Sequence, residues 1–381
     1  MRTVAGTSHG TVALERSAQW IAERLRTIGM SEVTITRRHG PPAVVAVRPG
    51  TRRAPTLLLY AHHDVVDASS FDAVRTGTLL RGRGASDDKG PLVALLHGIA
   101  RYLKSSVDGT ARNEPGLVVV IDGEEEVGSP HLAGLLRSAR AVGGPVDAVL
   151  AIDTQADRTG QPALTVSLRG QTSVDLDIHG PPERHSGRFG GKSSDPGLIL
   201  AAILSALATT NGRVRPVDDG SFSVAVNALC TNQCSVGPHH VIPSMVRAKL
   251  NFRFDRTDGP STWNRLAVLS ASHLRCDTHA RITPWLSVRP WSLATGDHRL
   301  VAIVTEVLTE HFGAPQRLQS TATLPLASVV EDVLGVHDIA LIGFGQATDN
   351  AHAPNEQVDL IRLAAMAAAV VDVLRAFGES R

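Results

Sequence analysis

Three consecutive carboxylates, Glu124-Glu125-Glu126, follow the apolar run Leu117-Val118-Val119-Val120-Ile121. Adjacent negative charges repel, so their place at the end of a buried run makes sense where cations or a proton-transfer task need them there. A solvated acidic loop is the plainer use of such a charge run. Three further segments share the layout of an apolar run followed by groups that bind metals or move protons. Leu57-Leu58-Leu59-Tyr60-Ala61 runs into His62-His63-Asp64, and Ala148-Val149-Leu150-Ala151-Ile152 ends at Asp153. Ile339-Ala340-Leu341-Ile342-Gly343-Phe344 leads through a short polar loop to His352. A glycine-rich stretch from Gly82 to Gly90 adds Asp87 and Asp88. Imidazoles and carboxylates drawn from five segments are the donor types of a metal centre, and the repeated layout favours that reading over an acidic loop.

What must position them is a sheet. Continuous apolar runs of this length read as strands buried on both faces, the habit of a parallel sheet covered by helices. In such sheets ligands collect beyond the carboxyl ends of the strands, which is where all these groups lie. The helical pattern Leu92, Leu95, Leu96, Ile99, Tyr102, Leu103 follows the glycine-rich loop, and another spans Ala18 to Ile28. The rhythm changes near residue 165. Thr172 to His179 alternates, with Val174, Leu176 and Ile178 on one face, and Val246 to Asp255 sets Ala248, Leu250, Phe252 and Phe254 opposite Lys249, Asn251, Arg253 and Asp255. With helices at Pro196 to Leu207 and Thr262 to Leu274, this reads as an α+β sandwich. The expected architecture is an α/β catalytic domain with a mixed, mostly parallel sheet and helices on both faces. Residues 1–165 and 289–381 form it, and an inserted lid or dimerisation domain spans 166–288.

Composition narrows the partners. A chain of 381 residues holds two full cores, and a net charge of +1 with interspersed signs excludes a nucleic-acid footprint. Cys230, Cys234 and Cys276 form no disulfide framework and read as free core thiols. Met1 to Gly10 lacks the apolar segment of a signal peptide, and no apolar stretch reaches the length of a membrane span. A soluble cytoplasmic protein is expected.

Taken together, the motifs resemble those of the co-catalytic dinuclear zinc metallopeptidases and deacylases. That family includes carnosinase-type dipeptidases, carboxypeptidase G, acetylornithine deacetylase and succinyl-diaminopimelate desuccinylase. The resemblance rests on His62-His63-Asp64-Val65, the Gly82 to Pro91 loop, Glu125-Glu126-Val127-Gly128-Ser129, His185-Ser186-Gly187-Arg188-Phe189-Gly190-Gly191, and Ala351-His352-Ala353-Pro354-Asn355-Glu356. It implies two Zn²⁺ per chain, with Mn²⁺ or Co²⁺ as near equivalents. His62 and Asp153 would hold the first, Glu126 and His352 the second, and Asp87 would bridge them, followed by a cis Asp87–Asp88 peptide. Asp64 would orient His62, and Glu125 would be the general base for a hydroxide lying between the ions. His185 would reach a partner subunit's site in a homodimer formed through the inserted domain. Arg253 would bind substrate, although a structural ion pair suits it equally.

The same resemblance implies hydrolysis of the amide bond of a dipeptide or of a C-terminal or N-acyl amino acid. The alternatives are an N-acyl amino acid deacylase or desuccinylase, or a specialised-pathway enzyme that forms or trims an amide on a small metabolite. Departures from the family concern specificity. Thr321-Ala322-Thr323-Leu324-Pro325 stands where the dipeptidases carry Gly-Gly-Ser-Ile-Pro, so Thr323 is a candidate substrate contact in a reshaped pocket. Asp67 replaces a usual proline and the Ala68 to Leu80 loop is short; a shortened N-terminus without the family's first helix is expected.

Overall fold

The computed structural model describes residues 1–38, 40–107, 113–207, 222–231, 240–255 and 259–379. They divide into two compact units, Met1–Ser167 with Ser292–Ser320 and Leu324–Arg381, and Leu168–Trp291 with Thr321–Thr323.

The first unit is built on a nine-stranded sheet. Its centre runs Gly116–Asp122, Thr56–His62, Ala148–Gln155 and Ile339–Gly345, all paired in parallel. The strands Glu32–Thr36 and Ala43–Arg48 on one flank and Ala163–Leu168 on the other pair antiparallel. The sheet is therefore mixed, with parallel pairing concentrated where the runs are most apolar. Leu57, Leu59, Ala61, Leu117, Val119, Ile121, Leu150 and Ile152 face one continuous core with Leu92, Leu95, Ile99, Leu300, Val304, Met366 and Val370. Those partners come from the helices Lys89–Val107, Arg299–Phe312 and Leu360–Glu379. The alternate residues Leu58, Tyr60, Val118 and Val120 are buried as well. The helix Leu132–Gly143 packs on that side, against Gly116–Asp122 and Ala43–Arg48. A strand covered on both faces has no polar side to alternate with, which is why its sequence is uniformly apolar; each such side chain contributes roughly 1.5–3 kcal/mol of burial.

Register sets the functional edge. His62 lies opposite Asp122, so the His62-His63-Asp64 segment and the Gly123 to Glu126 segment leave the sheet side by side. Asp153 and the loop after Gly345 leave at the same edge, because Leu341 pairs with Ala151 and Gly343 with Thr154. The first helix, Ser8–Thr27, starts well before the Ala18 pattern, with the Thr7 side chain accepting a hydrogen bond from Gly10 N. Its early turns expose most side chains, so periodicity there is weak while the cap sets the boundary.

The second unit holds a four-stranded antiparallel sheet ordered Phe222–Thr231, Met245–Phe254, Gly170–His179, His279–Val288. Val174, Leu176, Ile178, Ala248, Leu250 and Phe252 pack with Ile199 and Ile203 of the helix Pro196–Leu207. On the opposite face Arg247 pairs with Asp175 and Asp177, and Lys249 with Asp175. Cys230 is half-buried and unbridged, but Cys276 is exposed, in the turn between the Gly259–His273 helix and the next strand, so it is no core thiol. Cys234 lies outside the described residues. Among the described residues no helix is long and apolar enough to cross a membrane.

One buried group sets an acid limit on stability. His63 is fully buried, with Nε2 2.8 Å from the Pro42 carbonyl oxygen, and burial pushes its imidazole down to about 4. An unfolded histidine titrates near pH 6.5 (roughly), so between about 6.5 and 4 the unfolded chain takes up a proton that the native site refuses. Native stability is expected to fall through that window, by up to about 3 kcal/mol below pH 4. His63→Gln keeps an Nε2 donor without the titration. Its melting temperature should fall less steeply with acid than that of wild type, and parallel curves for the two proteins would refute the account.

Candidate dinuclear metal centre

His62 ends its strand with no exposed side-chain surface, its Nε2 3.1 Å from Asp87 Oδ1 and 3.7 Å from Asp153 Oδ1. On the other side of Asp87, His352 Nε2 lies 3.0 Å from Asp87 Oδ2 and 2.9 Å from Glu126 Oε2. Asp87 thus presents one oxygen to each imidazole. The potential donor atoms fall into two groups, His62 with Glu125 and Asp153, and Asp87 with Glu126 and His352, each within 4.8 Å. Glu125 joins the first group in space, beyond the ligands that the motifs suggested. The Asp87–Asp88 peptide is cis, as the resemblance implies.

Asp64 acts mainly on the backbone. It lies 3.3 Å from His62 Nδ1 without the alignment of a hydrogen bond. Its two oxygens accept instead from Glu125 N at 3.1 Å and Glu126 N at 3.0 Å. Sequence reasoning missed the layer beneath. Asp88 Oδ2 accepts from His62 N at 3.1 Å, fixing the backbone of the strand end. Asp122 is fully enclosed and accepts from Ser129 Oγ, Gly123 N and Glu124 N, and burial pushes its carboxyl up to about 6. Glu124, the first acid of the triplet, turns away to bind His131 N and Nδ1 at 2.7 and 3.0 Å. Tight turns and caps of this kind carry no periodicity, and only the strand-end position of Asp122 hints at its role.

The electrostatics follow from crowding acids in a low-dielectric setting. Burial raises the Glu125 carboxyl well above the carboxylate range, and the charge of Asp153 adds to it. Burial likewise raises Glu126 and Asp153. Burial also works on Asp87, but hydrogen bonds from His352 and His62 hold it well below the usual range. Those from Asp87 and Glu126 lift His352 to about 10. Burial disfavours protonated His62, yet Asp153, Asp64 and Asp87 carry it well above its ordinary value. Without cations, then, protons must neutralise the cluster. Buried Asp153 Oδ2 finds no hydrogen-bond partner among the described residues. An orphaned buried oxygen, two imidazoles and a shared carboxylate make a donor set that fits two divalent cations with open positions.

The other candidates belong to the second unit. His185 is exposed and N-caps the short helix Ser186–Phe189, with Nδ1 accepting from Gly187 N at 3.1 Å. Arg253 lies on Met245–Phe254 with Nε donating to Asn251 Oδ1 at 2.9 Å. Thr323 donates its hydroxyl to the Arg169 carbonyl at 2.7 Å, and the Ala322 carbonyl accepts from Arg169 N, so this segment is stitched to the second unit's own backbone.

Peptidase family M20/M25/M40 has a family model that matches residues 58–376. The chain belongs to this family. Among M20 relatives, the Cys-Gly metallodipeptidase dug1 of Schizosaccharomyces pombe is 34% identical over 185 residues, 46% of this chain and 38% of that protein. The chain thus matches less than half the length of that relative. A succinyl-diaminopimelate desuccinylase of Methylobacterium sp. is 28% identical over 345 residues, 84% of this chain and 80% of the other. The structure of the dipeptidase Dug1p from Saccharomyces cerevisiae superposes with a TM-score of 0.83 at 21% identity, covering 100% of this chain and 94% of that one. This last likeness carries the M20 fold, and the chemistry rests on the residues above.

Proposed function

We propose that this M20-family chain is a metal-dependent hydrolase of the amide bond in a dipeptide or N-acyl amino acid. The observation that carries the reading is the pair of donor groups joined by Asp87, with Glu125 held inside the first of them. His62, Asp153 and Asp87 would hold one divalent cation and Glu126, His352 and Asp87 the other; such ions polarise an amide carbonyl and make a water acidic near neutral pH. Glu125 takes the proton of the attacking water as the new C–O bond forms. It then returns that proton to the amine nitrogen as the C–N bond breaks, leaving a carboxylic acid and an amine; the acid's proton passes to the amine or to solvent near neutral pH. Asp64 keeps Glu125 and Glu126 in place through their backbone N–H groups. Zinc suits the mixed imidazole and carboxylate ligation, with manganese or cobalt close behind. A cytoplasmic homodimer formed through the second unit, with His185 as oxyanion donor and Arg253 and Thr323 as substrate contacts, is part of the same proposal.

A deacylase acting on N-succinyl or N-acetyl amino acids is the second reading. It is supported by the desuccinylase match, which reaches 84% of this chain, the same share that a Beta-Ala-His dipeptidase of Mus musculus reaches. Turnover of a panel of dipeptides, N-acetyl and N-succinyl amino acids by the metal-loaded protein separates the two. The chelator-stripped protein is expected to be inactive and to recover with added Zn²⁺, Mn²⁺ or Co²⁺. Equal turnover before and after stripping would exclude both readings.

A further inference from the structure

The loop that carries Asp87 is folded around a buried carboxylate from a distant part of the chain. Glu356 is 2% exposed, and its oxygens accept only from donors. Oε1 receives Ser86 N at 2.9 Å and Asp87 N at 3.0 Å. Oε2 receives Gly84 N at 2.9 Å and Arg83 Nη1 at 2.5 Å. Three backbone N–H groups of one short loop thus converge on a single side chain, and the guanidinium supplies the opposing charge inside the protein. The loop can close this tightly because Gly84 adopts φ +84°, where a Cβ would meet Val65 Cγ1 at 2.7 Å. The same residue ties down the other ligand loop. Gly82 N donates to the Glu356 carbonyl, and Arg83 Nη2 donates to the Ala353 carbonyl, next to His352. Between the two loops Ser86 donates its hydroxyl to buried Asp349 at 3.2 Å. His352 and Asn355 both sit in the left-handed region, at φ 62° and 64°, an unfavourable setting for residues other than glycine that the surrounding contacts must hold.

We propose that Glu356 is a positioning residue for the metal centre: by gathering the Gly84, Ser86 and Asp87 N–H groups it aims the two oxygens of Asp87 at His62 and His352. The inference rests on reading Asp87 as a shared metal ligand. Its physical content is that Asp87 N, bound to Glu356, fixes the backbone position from which the carboxylate reaches both imidazoles. Asp64 does the equivalent for Glu125 and Glu126, so these two ligand-bearing segments each have a buried carboxylate organising their backbone. Arg83 serves Glu356 by neutralising it.

The test is made on the full chain, stripped with a chelator and retitrated with Zn²⁺ against a chromophoric competitor, and separately with Co²⁺ read by its visible spectrum. Glu356→Gln keeps the volume but sets an amide N–H₂ among four donors. It is expected to bind Zn²⁺ roughly ten- to a hundredfold more weakly than wild type and to show an altered Co²⁺ spectrum. Both measurements are made well below the variant's melting temperature, so a loss of global stability alone moves neither. Zn²⁺ affinity within about twofold of wild type, with an unchanged Co²⁺ spectrum, overturns the proposal. Should Glu356→Gln fail to fold, Arg83→Gln leaves the three backbone donors and the carboxylate in place, and a smaller loss of Zn²⁺ affinity in the same direction is expected. A wild-type chain that binds neither ion would instead sink the dinuclear reading itself, and this inference with it.

Discussion

Glu125→Gln is expected to slow amide hydrolysis by roughly 10²–10⁴-fold while leaving the metal content of the protein unchanged. The substitution preserves shape and the backbone N–H bond to Asp64, and removes only the ability to take and return a proton. Two features single out this carboxyl. It belongs to the donor group of His62 and Asp153, so it stands beside the place where the carbonyl and water must meet. Burial and the Asp153 charge also raise it well above an ordinary carboxylate, which brings its basicity toward that of the groups it must exchange protons with. Bound cations offset part of that shift, since they neutralise the same acids that cause it. Metal analysis and turnover on the same preparation make the decision. Full activity would remove Glu125 from the reaction, whereas loss of one ion per chain would make it a ligand.

Much of this centre could be read before any coordinates, for a physical reason. Strands buried on both faces leave a continuous apolar signature, and their carboxyl ends fix where the next residue must be, so His62, Asp153 and the Glu125-Glu126 pair were legible from position alone. His352 stood further from its strand, beyond a short polar loop in which Asn350 takes a positive φ, so the layout pointed to it less directly and its motif added to the reading. The residues that escaped do their work through backbone contacts. Nothing in a one-dimensional pattern says that Glu356 will accept three N–H groups of a loop some 270 positions away. Asp64 was legible as a helper of His62, but its oxygens go to the Glu125 and Glu126 amides, a choice made by the register of neighbouring strands. In the second unit the alternation of Val174, Leu176 and Ile178 gave away the sheet. Thr323 proved to be tied to Arg169, a pairing that depends on how a distant segment returns, and no local pattern encodes it.

The sharpest test of the bridged arrangement is Asp87→Ala, which is expected to weaken both metal sites, where substitutions of the flanking ligands weaken one. Free energies of metal binding near 10–16 kcal/mol for four-ligand sites put each ligand at about 3 kcal/mol, or about a hundredfold in affinity. Because Oδ1 lies against His62 and Oδ2 against His352, a single truncation takes one donor from each ion. Asp153→Ala should weaken only the ion beside His62, and Glu126→Ala only the ion beside His352. After gel filtration, metal analysis of Asp87→Ala is expected to give less than one ion per chain, and turnover should be lost with it. The companion variants should retain close to one. The truncation also leaves His352 with Glu126 alone and His62 with Asp153 and Asp64, so the metal-free variant holds its imidazolium protons less firmly than wild type does. A change in metal affinity confined to one site in Asp87→Ala would mean that the carboxylate serves a single ion, and the shared geometry on which the hydrolytic proposal stands would have to be abandoned.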